Sequence, residues 1–519
     1  MMLSLAKSGK KSEISPKKFT INLLISLEIS IFAAQNQNEE IMEQLIGRER
    51  EVKELWRCFN SPRSEFVVVY GRRRIGKTFL VTQTFKDKFS FLFTGSHKAP
   101  KERQLELFAK ALQHYGRTPM PLKIDNWYHA FDALELLLES LETSEKKILF
   151  FDEMPWIDTS RSEFVSALED FWNTWAALRD DIYLIASGSA TSWMVNNLVE
   201  NQGGLHNRIT SSINLQAFTL RECEQYLRYH NCTWDRYTIA QSYMYLGGVP
   251  FYYSLLEFNR ELSYNVDLLF FRPKAKLSNE FNDLYNVLFT GADKYIEIVR
   301  MLAQNREGMT RKELGEKLGE NGGGLTRRLQ NLENCDFIMT YSQLGNKKKG
   351  AIIRLADFFT LFYYKFIDGA GMSRSAGNYW SHKMFEPSAI AWQGLTFELI
   401  CLKHVEQIKK SLSISGVHTE VSSWRSQQVN SENKKAQIDL VIDRGDRCIH
   451  LCEMKFSTEP YAITKEYEVK LRERMAIFRE ETKTRKTLLT TFVTTFGIKP
   501  GVHAGIVQQQ VTLDELFDN

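Results

Sequence analysis

Apolar residues along the chain gather into short continuous runs separated by longer amphipathic stretches. Phe66 to Tyr70 is one such run, Ile148 to Phe151 a second, and "DIYLIASG" a third. Runs of this length, bounded by turn residues, read as buried strands. Between them the pattern is helical, with Leu45, Val52 and Leu55 spaced for one face of a helix. Strands alternating with amphipathic helices predict a parallel α/β sheet. From Tyr295 to Asp357 the rhythm changes to three short helical stretches followed by two strand-like runs joined by "GNKKKG". Aromatic-rich helical segments follow. The chain then reads as a hairpin, "QIDLVI" and "CIHLCEMKF", turning at Asp443 to Asp446.

A chain of 519 residues exceeds what one core normally supports. Hydrophobic content of 43% and aromatic content of 12% describe a packed globular protein, not a disordered one. A formal charge of +4 is too small to imply nucleic acid, so any such reading needs a local basic patch. The seven cysteines are scattered without zinc-knuckle pairing, which favours a reduced, cytoplasmic protein. Near the N-terminus, lysines precede "FTINLLISLEISIFAAQNQ", superficially like a signal peptide. Asn22 and Glu28 interrupt that run, and it is too short to span a bilayer. Residues 1–41 are therefore read as a dispensable extension with a working start near Met42, and no membrane association is expected.

The first strand run leads into "GRRRIGKTFLV". Gly71, Gly76, Lys77 and Thr78 fit G-x-x-x-x-G-K-[ST] between a strand and a helix-compatible segment, Thr78 to Phe85. Glycines let backbone N–H groups curl around phosphate oxygens, and the helix N-terminus favours the anion. The expected cradle is Gly71, Arg72, Arg73, Arg74, Ile75, Gly76, Lys77, Thr78 and Phe79, with Lys77 on the β- and γ-phosphates of ATP and Thr78 on Mg²⁺. The second strand ends in Asp152 and Glu153, about 75 residues after the loop. Asp152 is expected at Mg²⁺ and Glu153 at the attacking water. The third strand ends in Ser187, Gly188 and Ser189, where a hydroxyl either senses the γ-phosphate or only turns the chain. Arg208 is either an arginine finger reaching another subunit or a solvated loop residue.

Together "LIGREREVKEL", "GRRRIGKTFLV", "ILFFDEMPW", "LIASGSATSWM", "HNRI" and "LGGVPFYYSLL" resemble the archaeal-type predicted ATPases, of the signal-transduction (STAND) branch of the AAA+-like P-loop NTPases. An arginine run within the loop is usual there. The resemblance implies that Gly247, Gly248, Val249 and Pro250 form the glycine-proline element of a small helical subdomain, bringing Gly248 and Pro250 near the nucleotide. Physically, Gly-Gly-X-Pro breaks a helix and admits close backbone approach. The arginines Arg72 to Arg74 read as extra positive charge around polyphosphate, with at least one facing another domain or an acidic neighbour.

The helix and strand order from Tyr295 to Asp357 is that of a winged helix-turn-helix. Its third helix, Leu325 to Cys335, carries Arg327 and Arg328, and its wing carries Lys347 to Lys349. Such a surface suits duplex DNA phosphates, though winged helices also serve as protein–protein spacers. In the C-terminal hairpin Glu453 and Lys455 lie two apart on one strand face, with Asp439 on the partner strand and Glu398 on a preceding helix. This set resembles the PD-(D/E)xK restriction-endonuclease fold, with Ile438 where the proline of that motif would stand. The resemblance implies one or two Mg²⁺ or Mn²⁺ ions on Asp439 and Glu453, with Glu398 and Lys455 assisting phosphodiester attack. The other reading of Glu-x-Lys is a cross-strand charge pair.

The expected architecture is multidomain α/β: a P-loop NTPase parallel sheet over 42–220, a helical subdomain over 221–290, a winged helix over 291–357 and a restriction-endonuclease-like domain over 358–519. The expected function is an ATP-hydrolysing switch coupled to DNA binding or processing. The alternative is a signalling ATPase with an inactive partner-binding C-terminal module, and a homo-oligomer or a protein partner goes with either.

Overall fold

The computed structural model describes residues 45–518 apart from 118–122, 160, 201–202, 206, 306, 343, 345–349, 369–377 and 430–434. The N-terminal extension and the wing lysines Lys347 to Lys349 lie outside the described residues.

The first apolar runs become strands β1 (Glu65–Tyr70), β2 (Phe89–Thr94), β3 (Lys147–Asp152), β4 (Ile182–Gly188) and β5 (Ser211–Asn214). They pair in parallel in the order β2-β3-β4-β1-β5. β3 and β4 are buried along their whole length because they have a strand on each side and helices on both faces. That is why their sequences are continuously apolar instead of alternating. One face packs Phe66, Phe151 and Leu184 against Phe108, Phe131 and Phe164. The other packs Val67, Phe150 and Ile185 against Leu55, Leu80 and Phe85. Register places Val69 beside Ser187 and Thr94 beside Asp152, so the polar strand ends emerge at one carboxyl edge. Ligands of open α/β sheets bind at that edge.

Helices follow with well-formed starts. Thr219 and Glu222 cap helix Leu220–Tyr229 reciprocally, and Asp235 caps helix Arg236–Leu246. Helices Ala292–Gln304, Arg311–Leu318 and Gly323–Asn334 are accompanied by a three-stranded antiparallel sheet of β6 (Met309–Thr310), β7 (Ile338–Tyr341) and β8 (Ile352–Leu355), in the order β6-β8-β7. The three helices and the two strands β7 and β8 follow the order read from the sequence, with the short β6 added between the first and second helices. The C-terminal region adds helix Pro387–Lys403 and the mixed sheet β9 (Thr419–Val429), β10 (Lys435–Arg444), β11 (Cys448–Lys455), β12 (Thr487–Thr494) and β13 (Gln509–Thr512). β9, β10 and β11 are antiparallel, and helix Lys465–Thr482 carries the chain back so that β12 lies parallel to β11.

The sequence segments this half of the chain into separate units, but its apolar side chains do not stay separate. One continuous core runs from Phe218 and Leu246 through Phe337 and Phe362 to Trp392, Val493 and Phe517. Polar groups cross the same seams. His404 accepts from the Leu220 N–H at 3.1 Å through Nε2 and donates to the Ile400 carbonyl at 2.8 Å through Nδ1. Burial pushes this imidazole down to about 4, which keeps it neutral in that double role. Ser342 and Leu344 exchange backbone hydrogen bonds with Ser423, so the chain leaving β7 extends the edge of the C-terminal sheet.

Candidate functional site

Three loops converge at the carboxyl edge of the parallel sheet. The first, Gly71 to Gly76, links β1 to helix Lys77–Thr84. Gly71 has φ +143°, and a Cβ there would meet the Leu215 carbonyl oxygen at 2.3 Å. Gly76 ends the loop in the left-handed region at φ +89° and forms the helix N-cap. Both demands favour glycine. Ile75 is buried and anchors the loop, whereas Thr78 and Phe79 face outward at the mouth.

Lys77 is buried and donates to the Gly71 carbonyl at 3.1 Å, the Arg72 carbonyl at 3.0 Å and the Ser189 hydroxyl at 3.1 Å. Burial lowers its ammonium to about 8, against the opposing pull of Glu153 and Asp152. Thr78 donates to Asp152 Oδ2 at 2.9 Å, and Ser187 donates to Asp152 Oδ1. Burial raises the Asp152 carboxyl, with these hydroxyls acting in the opposite direction. Glu153 stands in the left-handed region at φ 51°, just past the end of β3. Ser189 donates to it from both its backbone N–H, at 3.2 Å, and its hydroxyl, at 2.6 Å.

Lys77, Thr78, Asp152, Glu153 and Ser187 therefore meet in one place, joined by Ser189. Ser189 was visible only as part of the "SGS" strand end; its contacts to both Glu153 and Lys77 depend on how β3 and β4 sit side by side.

The arginine run divides. Arg72 is 2% exposed and donates to Asp357 Oδ1 at 2.6 Å, with its guanidinium over the Phe337 ring. Arg74, at φ 73°, pairs with Glu280 at 2.6 Å and lies over the Phe251 ring at 4.4 Å. Both therefore face an acidic neighbour from another segment, as expected of at least one of the three, and their charge is committed to those carboxylates instead of standing open around the loop. They contribute backbone to the loop. Arg73 stays half-exposed beside it. No local signal in the sequence links Arg72 to Asp357, because 285 residues separate them.

The glycine-proline element abuts the loop. Gly248 has φ +67°, and a Cβ there would lie 2.2 Å from the Phe218 carbonyl. Pro250 opens a short helix whose Phe251 N–H reaches the Arg74 carbonyl at 3.4 Å. Arg208 is exposed in a turn before β5.

The C-terminal carboxylates also converge, but with counter-ions in place. Arg354, on β8 of the winged segment, pairs with Asp439, which also accepts from Gln437 at 2.7 Å. Glu453 accepts from Lys455 at 2.8 Å, from Arg474 at 2.5 Å and from the Tyr467 hydroxyl. Glu398 is pushed up to about 8, first by burial and then by Asp439, so it is largely protonated at neutral pH. A divalent cation needs carboxylate oxygens free to bind it. Here Asp439 and Glu453 are already matched by guanidinium and ammonium groups. Among the described residues no group of three or more His, Cys, Asp and Glu side chains is placed to hold a metal ion. The metal role expected of Asp439 and Glu453 does not fit this arrangement. Arg354, Arg474 and Tyr467 were not foreseen, since their approach requires the winged segment and a later helix to fold over the hairpin.

Residues 45–256 match a family model described as an ATPase domain predominantly from Archaea. The uncharacterized protein MJECL04 of Methanocaldococcus jannaschii is 22% identical over 400 residues, covering 75% of this chain and 85% of its own length. Among solved structures, the Walker-type ATPase PABY2304 of Pyrococcus abyssi is similar with a TM-score of 0.46 and 17% identity, over 62% of this chain and 97% of that one. The ORC2 protein of Aeropyrum pernix, solved as ADPNP–ADP complexes, has a TM-score of 0.40 and 13% identity over 61% of this chain and 92% of that one.

Proposed function

We propose, from the match of residues 45–256 to an ATPase domain predominantly from Archaea, that the protein binds and hydrolyses ATP as a conformational switch. The observation that carries this reading is the meeting of Lys77 and Glu153 on Ser189, beside the Thr78–Asp152 hydrogen bond. Phosphate-binding cation, water-orienting carboxylate and a hydroxyl–carboxylate pair then share one edge of the sheet.

In this reading Lys77 leaves the Gly71 and Arg72 carbonyls for the β- and γ-phosphate oxygens, an exchange that its present hydrogen bonds prefigure. Backbone N–H groups of the loop and the N-terminus of helix Lys77–Thr84 receive the remaining phosphate charge. Ser189 fixes the Glu153 carboxylate, which orients the attacking water and accepts its proton at a carboxylate oxygen. Thr78 and Asp152 present hydroxyl and carboxylate oxygens side by side, a donor set that fits Mg²⁺. When bound, the ion neutralises phosphate charge. Lys77→Ala is expected to abolish ATP binding in a titration, whereas Glu153→Gln should keep binding and lose turnover by a hundredfold or so. Unchanged affinity in Lys77→Ala would overturn the reading.

For the C-terminal half, the guanidinium groups on Asp439 and Glu453 favour the second of the two sequence readings, a module that binds a partner without cutting nucleic acid. Duplex DNA is the partner proposed for the winged segment. Thr326, Arg327 and Gln330 on helix Gly323–Asn334 are exposed, as is Lys312 on the helix before it, while Arg328 is held by Glu320.

A further inference from the structure

The strand β8 and the residues just after it touch both candidate sites. At one end Arg354 holds Asp439 of the C-terminal carboxylate set. Only three positions later, Asp357 holds Arg72 of the phosphate loop in a pair whose side chains are 3% and 1% exposed. Asp357 is itself fixed: its Oδ2 accepts from the Thr360 N–H at 2.9 Å and the Thr360 hydroxyl at 2.6 Å. Its Oδ1 is thereby aimed at Arg72. Arg72 in turn supplies one of the carbonyls that hold Lys77.

An unbroken chain of contacts therefore runs Lys77, Arg72, Asp357, β8, Arg354, Asp439. The link between Arg354 and Asp357 is short and held: Arg354 and Leu355 pair with Met339 and Ile338 of β7, and the Ala356 and Asp357 N–H groups both donate to the Phe337 carbonyl. The surroundings give Arg72 little freedom to shift alone. Asp336 and Lys403 are charged groups near the Arg72–Asp357 pair, and Phe337 lies under the guanidinium.

We propose that Asp357 is a positioning residue for the phosphate loop and that Arg354 to Asp357 couples ATP binding to the C-terminal carboxylate set. The inference rests on the phosphate-loop reading above, but it names residues outside the loop. Coupling is reciprocal in binding free energy, so a change at the far end must be felt as a change in ATP affinity.

The experiment is a double-mutant cycle on the full chain, read as ATP dissociation constants by calorimetric titration. Asp439→Asn removes the charge that holds Arg354. Arg72→Met with Asp357→Leu removes the near pair as a whole, avoiding a buried unpaired charge. Asp439→Asn is expected to change ATP affinity by roughly fivefold or more in the otherwise native chain and by less than twofold once the Arg72–Asp357 pair is gone. No effect of Asp439→Asn in the native background, or the same effect in both, would overturn the proposal. Should the double replacement not fold, Thr360→Val serves as the near perturbation, since it removes one of the two donors that fix Asp357 Oδ2 and so loosens the aim of Oδ1 at Arg72. Lys77→Ala runs in parallel. If it retains ATP binding, the phosphate-loop reading has failed; if it loses binding while the cycle is additive, only the coupling has failed.

Discussion

Lys77 shows how one side chain is tuned by where the fold puts it. Its ammonium is withdrawn from water, and the neighbouring Glu153 and Asp152 only partly restore the charged form, leaving it at about 8. An ordinary lysine at 10.5 would be insensitive to pH near neutrality. The sign follows directly. Below pH 8 the group is cationic and able to meet phosphate; above it the proton leaves and affinity falls. ATP binding to the wild-type chain is therefore expected to weaken about tenfold per pH unit above this value, measured by titration between pH 7 and pH 9.5. Folding stability should move oppositely. A lysine with a depressed folded value binds fewer protons than the unfolded chain between about 8 and 10.5, so its unfavourable contribution is relieved as pH rises through that window. A curve of affinity flat across this range would show that Lys77 is not the titrating phosphate ligand.

At the scale of elements, backbone geometry limits what the sequence tolerates beside the loop. Helix Arg236–Leu246 ends at Gly247, and Gly248 continues in the left-handed region against the Phe218 carbonyl, while the Gly248 carbonyl accepts from the Phe218 N–H at 2.8 Å. A methyl group at Gly248 meets backbone at 2.2 Å, and backbone cannot swing aside as a long side chain would. Gly248→Ala is expected to destabilise by about 2–4 kcal/mol, from strained dihedrals plus overpacking. Chemical denaturation reads this as a lower midpoint at unchanged slope, and a midpoint within error of wild type would refute the role of this close approach. Gly76 presents a contrast. Its Cβ direction is open, so the demand there is only for its positive φ.

At the scale of the molecule, the exposed basic residues and the neutralised carboxylates make a joint prediction. Supercoiled plasmid incubated with the full chain and Mn²⁺ is expected to be bound and to stay uncut. Arg327→Ala should weaken duplex binding severalfold and reduce its salt dependence by about one phosphate contact. Gel retardation across a salt series checks both parts. Nicking lost in Lys455→Ala would restore the nuclease reading, and equal affinity in Arg327→Ala would remove helix Gly323–Asn334 as the contact surface. The packing supports a unit acting as a whole, because the core that holds this helix also holds Trp392 and Phe517.

The parallel sheet was legible because its buried strands are short continuous apolar runs between amphipathic helices. The turn between β1 and helix Lys77–Thr84 was legible because glycine, lysine and threonine stand at fixed offsets within it. Asp152 and Glu153 could be read for the same reason: a strand places its last residues at the sheet edge whatever lies elsewhere. These features are local, and a local constraint leaves its mark in neighbouring positions. What the arginine run does, and what the C-terminal carboxylates face, was decided only by tertiary structure. Arg72 finds Asp357, Arg74 finds Glu280, and Arg354 finds Asp439, each across a distance in sequence that no spacing rule spans. Asp439, Glu453 and Lys455 on the hairpin, with Glu398 on a preceding helix, have the residue types of a metal site. What the two hairpin carboxylates face is set largely by Arg354 and Arg474, delivered from other elements, and that is not a property of the hairpin.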